Sequence, residues 1–145
     1  MLNVRGYIFS RSFFNERVPQ HIQNLVIRSH AEKYNLTYLL SGVEHRMKNS
    51  YLMLNQIVEE VNLIDGVIMY SLFMLPKNFA ERQLIINAFI DNGKEVHLAA
   101  EDLILKTSQQ VENINNIFFI RDIMNTNVYK ESLDDIIKFY SGNAY

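Results

Sequence analysis

"RGYIFSRSFFNERVPQHIQ", residues Arg5 to Gln23, sets the fold of this chain. A short apolar run, Tyr7-Ile8-Phe9, closes in the polar triplet Ser10-Arg11-Ser12. A polar loop then leads to Pro19. Proline suits the first turn of a helix, where its missing N–H has no helical partner to lose. From Pro19 to Tyr34, apolar residues recur at Ile22, Leu25, Val26 and Ile27, which is helical spacing. A strand, a polar turn and an amphipathic helix form the first half of a β–α–β unit.

Outward from this stretch the alternation continues. Leu36 to Leu40 reads as a second strand and Ser41 to Asn49 as a polar loop. Tyr51, Leu54, Ile57, Val58 and Val61 mark a helix. Gly66 to Ser71 is the most apolar strand, expected at the sheet centre with both faces covered. Pro76 opens a third helix, with Phe79, Leu84, Ile85, Ala88 and Phe89 expected inward. Asn92-Gly93 ends it, as glycine just past a helix commonly does. Glu95 to Ala99 is a fourth strand. Beyond Glu101 the pattern weakens: a short helix around Val111 and Ile114, a fifth strand at Ile117 to Ile120, a last helix from Leu133 to Tyr140. The sum is one α/β domain over residues 1–145, a three-layer sandwich with a mostly parallel sheet of four or five strands.

Composition narrows the function classes. The chain has 145 residues, 48% of them hydrophobic, enough for one well-buried core. The net charge is −2 with Lys and Arg scattered, so no basic stripe marks a nucleic-acid binder and no nucleic-acid partner is expected. The absence of cysteine excludes disulfides, thiolate metal sites and a cysteine nucleophile. MLNVRGYIFSRS has no apolar core followed by small residues, so no signal peptide is expected. The apolar runs are too short to span a bilayer. A cytoplasmic protein is the expectation.

In parallel α/β sheets, ligands bind beyond the C-terminal ends of the strands. Those ends are Ser10 to Ser12, Ser41 to Glu44, Tyr70 to Met74 and Ala100 to Asp102. Ser10, Arg11 and Ser12, beside the start of the helix at Pro19, combine hydroxyls, a guanidinium and free helix N–H groups. Such a set suits an anion. Arg17 adds charge, and Gln20, Gln23, Ser41 and Ser71 are candidate hydrogen-bonding groups. A catalytic Ser10 needs a base or other activator. Glu44 is the candidate general acid or base, alone or with His45. Tyr70 is a third catalytic candidate, and Glu101 a further acid. Lys48 is placed to meet a phosphate or to cap a helix. The bland readings stand beside these: a polar loop, solvated glutamines, a helix cap. The four histidines show no metal-ligand spacing, and no metal is expected. With five glycines and neither a Walker A loop nor GxGxxG, no classical nucleotide-cofactor domain is expected, and the residues name no cofactor. Leu72 to Leu75, four apolar residues in a loop, call for a cover: a pocket wall, a subunit interface or the chain itself.

Two resemblances add to this. Gly6-Tyr7 before a loop serine, a glutamine-rich helix and the strand Asp65 to Tyr70 resemble the N-terminal catalytic domain of serine recombinases. That family's first strand reads like Y-x-R-V-S, with the serine as nucleophile, and a D-R-x-x-R motif follows its third strand. Here Phe9 falls at the arginine and Arg11 at the serine; Ser10 or Ser12 matches only with a one-residue shift. The motif region is Leu72-Phe73-Met74-Leu75-Pro76, with no acid and no arginine. The resemblance therefore implies the sheet architecture and not DNA cleavage, whose transition state those arginines stabilise. Secondly, "RGYIFSRSFFNERVPQHIQNLVIR", "YLLSGVEHRM" and "DGVIMYSLFMLP" look like the bacterial sporadic carbohydrate cluster proteins of lipopolysaccharide O-antigen and other surface-polysaccharide gene clusters. That resemblance implies a protein of surface-glycan biosynthesis or modification, holding a sugar nucleotide or anionic sugar at the strand ends. The alternatives are a non-enzymatic oligomeric or accessory partner of a glycan enzyme, and a degenerate recombinase that still binds DNA.

Overall fold

The computed structural model describes residues 1–13, 17–44, 46–47 and 49–125. Among these residues the elements run in the order β1 Asn3–Phe9, α1 Gln20–Lys33, β2 Thr37–Glu44, α2 Leu52–Glu59, β3 Gly66–Met69, α3 Phe79–Ile90, β4 Glu95–Leu98, β5 Leu103–Leu105 and α4 Ser108–Asn125. A 3-10 turn, Leu72–Met74, lies between β3 and α3. The chain divides into two compact units, Met1–Val111 and Glu112–Tyr145.

The sheet order is β2-β1-β3-β4-β5. The first four strands pair in parallel, and β5 returns antiparallel to β4. This is the expected α/β fold with a mostly parallel sheet. The chain leaves β1 in one direction for β2 and then returns past it to β3. With right-handed crossovers, α1 covers one face while α2 and α3 cover the other. The reversal of direction falls between β1 and β3, where open α/β sheets hold their ligands.

Alternation along β1 divides its side chains between the two layers. Val4 and Ile8 join Ile68 of β3, Ala99, and Ile27 and Ala31 of α1 in one buried cluster. Tyr7 points the other way, to Glu44 and the start of α2. All four residues of β3 are buried, as a central strand requires. Each large apolar side chain so covered contributes about 1.5–3 kcal/mol. Gly6 is needed where it stands: a Cβ there would meet the Ser41 hydroxyl oxygen and the Tyr38 ring. Opposite Gly6 the register of β2 slips by one residue, since Arg5 faces Leu39 and Tyr7 faces Gly42. Gly93, at φ 70°, closes α3 in the left-handed region that favours glycine.

Three expectations change. β2 runs on to Glu44, so Ser41 to Glu44 is strand and not loop. α3 buries Arg82, Ile85, Ile86 and Phe89, whereas Phe79 and Leu84 are 58% and 74% exposed. The helix is apolar on several sides, and composition alone did not select the face. The fifth strand is Leu103–Leu105, and Ile117 to Ile120 belongs to α4. A four-residue apolar run fits strand or buried helix equally well. The deciding signal lies upstream, at Thr107-Ser108-Gln109-Gln110. The Gln110 Oε1 accepts the Lys106 and Thr107 N–H groups, and the Thr107 hydroxyl oxygen accepts the Gln110 N–H. This is a capping box, which starts a helix. Leu72, Met74 and Leu75 are buried in the turn after β3, as an apolar run in a loop requires. The expected helix at Leu133 to Tyr140 lies outside the described residues.

Candidate functional site

Ser10 follows directly on β1, and its half-buried hydroxyl donates to the Glu44 carbonyl oxygen at 2.6 Å. Arg11 lies with its guanidinium carbon 4.3 Å from the Phe9 ring centre and 5.1 Å from that of Tyr51. Its Nη1 donates to the Met47 carbonyl at 2.8 Å. The pair thus ties the end of β1 to the end of β2 and the segment after it. Ser12, Arg17 and Gln20 are exposed around the entry to α1. Pro19, the N-cap of α1, makes no side-chain capping bond, and its carbonyl accepts the Ile22 and Gln23 N–H groups.

Glu44 is fully buried at the end of β2. Its carboxylate accepts the Tyr7 hydroxyl at 2.8 Å and the Met53 and Leu54 N–H groups at 3.1 and 3.2 Å. Those amides are free donors of the first turn of α2, so the carboxylate caps that helix from another element. Burial first, and then the adjacent Glu44 carboxylate, push the Tyr7 phenol far above its ordinary range. Tyr7 therefore stays a donor to Glu44. The arrangement is a strut between β1, β2 and α2. The other half of the proposed acid/base pair, His45, lies outside the described residues, as does Lys48.

Gln23 is also fully buried. Its Oε1 accepts the Phe9 N–H and its Nε2 donates to the Phe9 carbonyl, both at 2.9 Å, with a further bond to the Val18 carbonyl at 2.8 Å. α1 thereby pairs with the last residue of β1 as a strand neighbour would. Ser41 sits inside β2 beside Gly6, hydrogen-bonded to the Tyr38 hydroxyl and to Asn24 of α1. Ser71 is buried; its hydroxyl donates to Glu101 at 2.8 Å and accepts the Phe73 N–H. Glu101 also accepts the Leu72 N–H at 2.7 Å. Ser71 and Glu101 together hold the turn after β3.

At the crossover point between β1 and β3, Phe13 packs its ring against Phe9 and Tyr70, at centre distances of 5.8 and 6.0 Å. Phe13 is buried. Aromatic rings of the chain itself therefore fill the place where a doubly wound sheet offers its crevice. The candidate residues fall into separate groups: Ser10, Arg11, Glu44 and Gln23 bracing the end of β1, Ser41 with Tyr38, and Ser71 with Glu101. Arg82 adds a fourth strap, its Nη1 donating to the Pro76 and Lys77 carbonyls at 3.0 and 2.9 Å.

A further polar group was not legible in the sequence. His30 of α1 and His97 of β4, both buried, meet at 3.0 Å, Nε2 to Nδ1. His97 Nε2 is 2.8 Å from Glu95, and His30 Nδ1 is 3.6 Å from Asp102. Neither histidine has a neighbour in sequence that signals the other. Among the described residues, no group of three or more His, Asp or Glu side chains is placed to hold a metal ion.

No family model matches the chain, and no curated protein matches its sequence. Solved structures do match its fold. The N-terminal catalytic domain of TP901-1 integrase superposes with a TM-score of 0.59 at 12% identity, over 83% of this chain and 95% of that one. A resolvase family site-specific recombinase from Streptococcus pneumoniae gives 0.59 at 10% identity, over 95% and 99%. The C-terminal catalytic domain of ISC1926 TnpA, an IS607-like serine recombinase, gives 0.52 at 15% identity, again over 95% and 99%. The resolvase-like architecture is thus shown. These findings correct the glycan reading: the chain's structural neighbours are recombinases, and nothing supports the carbohydrate-cluster resemblance. A role in surface-polysaccharide synthesis, the sugar ligand and the exclusion of nucleic acid all give way with it. Among the described residues no helix is long and apolar enough to cross a membrane.

Proposed function

We propose that this chain is a recombinase-fold module that contacts DNA without cutting it. One observation carries the reading. Within a fold shared with serine recombinase catalytic domains, the Ser10 hydroxyl is committed to the Glu44 carbonyl. A nucleophilic serine needs a base or a lowered barrier to losing its proton, and a backbone carbonyl supplies neither once chemistry begins. Phosphoryl transfer also needs cations at the transferring group. The turn after β3, where the resemblance expects arginines, is Leu72-Phe73-Met74-Leu75, largely buried.

Binding is a lesser demand. Arg17 and Arg46 are exposed, at the entry to α1 and just after β2, and the N-cap of α1, Pro19, offers no capping side chain. Phosphate contacts of this kind are independent of sequence and strongly weakened by salt. With a net charge of −2 the affinity is modest and depends on where these cations sit. A cytoplasmic location accompanies this reading.

The test has two arms. Duplex DNA carrying a fluorophore is titrated with the full chain at low and then rising salt, and supercoiled plasmid is incubated with it and resolved under denaturing conditions. The expected outcome is salt-sensitive binding with no nicking and no covalent protein–DNA adduct. An adduct lost in Ser10→Ala would overturn the non-cutting half, and absence of binding at low salt the DNA half.

A further inference from the structure

The His30–His97 pair stands apart from the strand ends and has its own logic. Four groups form a line: Glu95 of β4, His97 of β4, His30 of α1, and Asp102 in the turn between β4 and β5. The three gaps measure 2.8, 3.0 and 3.6 Å. Each gap holds at most one proton.

Counting protons gives the behaviour. With both imidazoles neutral there are two N–H protons for three gaps. One gap is then left without a proton, either a bare nitrogen facing a carboxylate at one end or two bare nitrogens facing each other in the middle, and either contact is repulsive. The distances say which gap. His97 Nε2 lies within hydrogen-bond reach of Glu95, and His30 Nε2 within reach of His97 Nδ1. His30 Nδ1 is beyond reach of Asp102. The wire therefore runs from His30 to His97 to Glu95, with the vacancy at His30 Nδ1. One added proton fills that vacancy and supplies the third bond. A second would put two N–H groups nose to nose at 3.0 Å between the rings.

We propose that His30 and His97 bind one proton as a unit, and that its uptake draws Asp102 onto His30 Nδ1. The charged and titratable groups facing the pair fit this. From α1, Lys33 bonds to Asp102 at 2.7 Å, and so does the Tyr34 hydroxyl. Tyr34 also lies against the His30 ring, 4.6 Å between centres. From β4, Glu95 takes His97, and Lys106, beyond β5, lies 3.2 Å from its other oxygen. Asp102 thus has two competing donors to exchange for a third. Its backbone, at φ 54°, is held in a left-handed turn. The proton has a path, because His30 lines an open pocket of about 460 Å³ together with Ser29, Lys33, Ala99 and Asp102. Burial is the largest effect on both imidazoles and lowers both from 6.5; Asp102 opposes it at His30 and Glu95 at His97. The uptake therefore falls on the acid side of neutrality.

The experiment is imidazole nitrogen NMR of the full chain, folded, across a pH series, with His30→Gln and His97→Gln variants for assignment. The two rings should titrate together, with one proton taken up in total and a midpoint below 6.5. Asp102→Asn, which tolerates the left-handed turn, should lower that midpoint by about half a pH unit. Two protons taken up by the folded pair, two independent midpoints, or rings neutral until unfolding would each overturn the proposal. So would a midpoint unmoved by Asp102→Asn in a variant whose circular dichroism is unchanged. None of these outcomes depends on DNA binding.

Discussion

The ends of β1 and β2 and the pair between α1 and β4 both place polar side chains in a buried setting, and they do so to opposite effect. At the strand ends the groups are saturated. Gln23 makes three bonds to carbonyl and amide groups, and Glu44 caps α2 while holding Tyr7. At the histidine pair the groups are one proton short of a complete line. A saturated network fixes geometry; an incomplete one responds to its surroundings. A catalytic residue has to have a valence to offer the substrate. By that standard the strand-end groups are a brace.

The largest effect should come from breaking the brace at its centre. Glu44→Ala removes the acceptor of three donors, the Tyr7 hydroxyl and two amides of α2, and should cost about 3 kcal/mol in urea unfolding. A loss below about 1 kcal/mol would mean that the carboxylate is dispensable to the fold and free for chemistry. Gln23→Met keeps the volume but leaves the Phe9 N–H and carbonyl without the side chain that bonds them. About 2 kcal/mol should be lost.

The histidine pair should show itself in the pH dependence of stability. Both folded-state pKa values lie below 6.5 because burial disfavours the charged ring. Below that value the unfolded chain binds more protons than the folded one. The contribution is therefore fully present above about 6.5 and is lost as pH falls through the folded values. Thermal unfolding midpoints should fall on acidification through this range, and a His30→Gln, His97→Gln double variant should flatten the profile. An equally steep profile in the double variant would place the titration elsewhere.

Ser10→Ala should be mildest, at about 1 kcal/mol, because the hydroxyl is half-buried and its bond to the Glu44 carbonyl is replaceable by water. DNA binding should survive it. If binding were lost with the fold intact, Ser10 would be a ligand group after all.

The element order up to β4 was legible because apolar runs and helical spacing alternate cleanly from Val4 to Leu98. The rest failed for physical reasons. Ser41 to Glu44 reads as a loop because Ser41, Gly42 and Glu44 are poor strand formers, whereas strand pairing with β1 is a tertiary fact. Gln23 reads as a ligand group and Glu44 as a general acid or base because a polar side chain near a strand end is the same letter whether it faces solvent or braces a backbone. Their partners, Phe9 and the amides of α2, are separated from them by intervening loops. The histidine pair spans 67 residues, and no local pattern joins its members. One signal is local: the Thr107-x-x-Gln110 capping box marks the start of α4 ahead of the apolar run Ile117 to Ile120.

The fluorescence anisotropy of labelled duplex DNA, titrated with the full chain at successive salt concentrations, tests the central claim most directly. The account predicts binding at low salt that weakens steeply as salt rises, with Arg17→Ala lowering affinity and reducing the slope of log K against log salt by about 1. An anisotropy that stays at the value of free DNA at the lowest salt would contradict it.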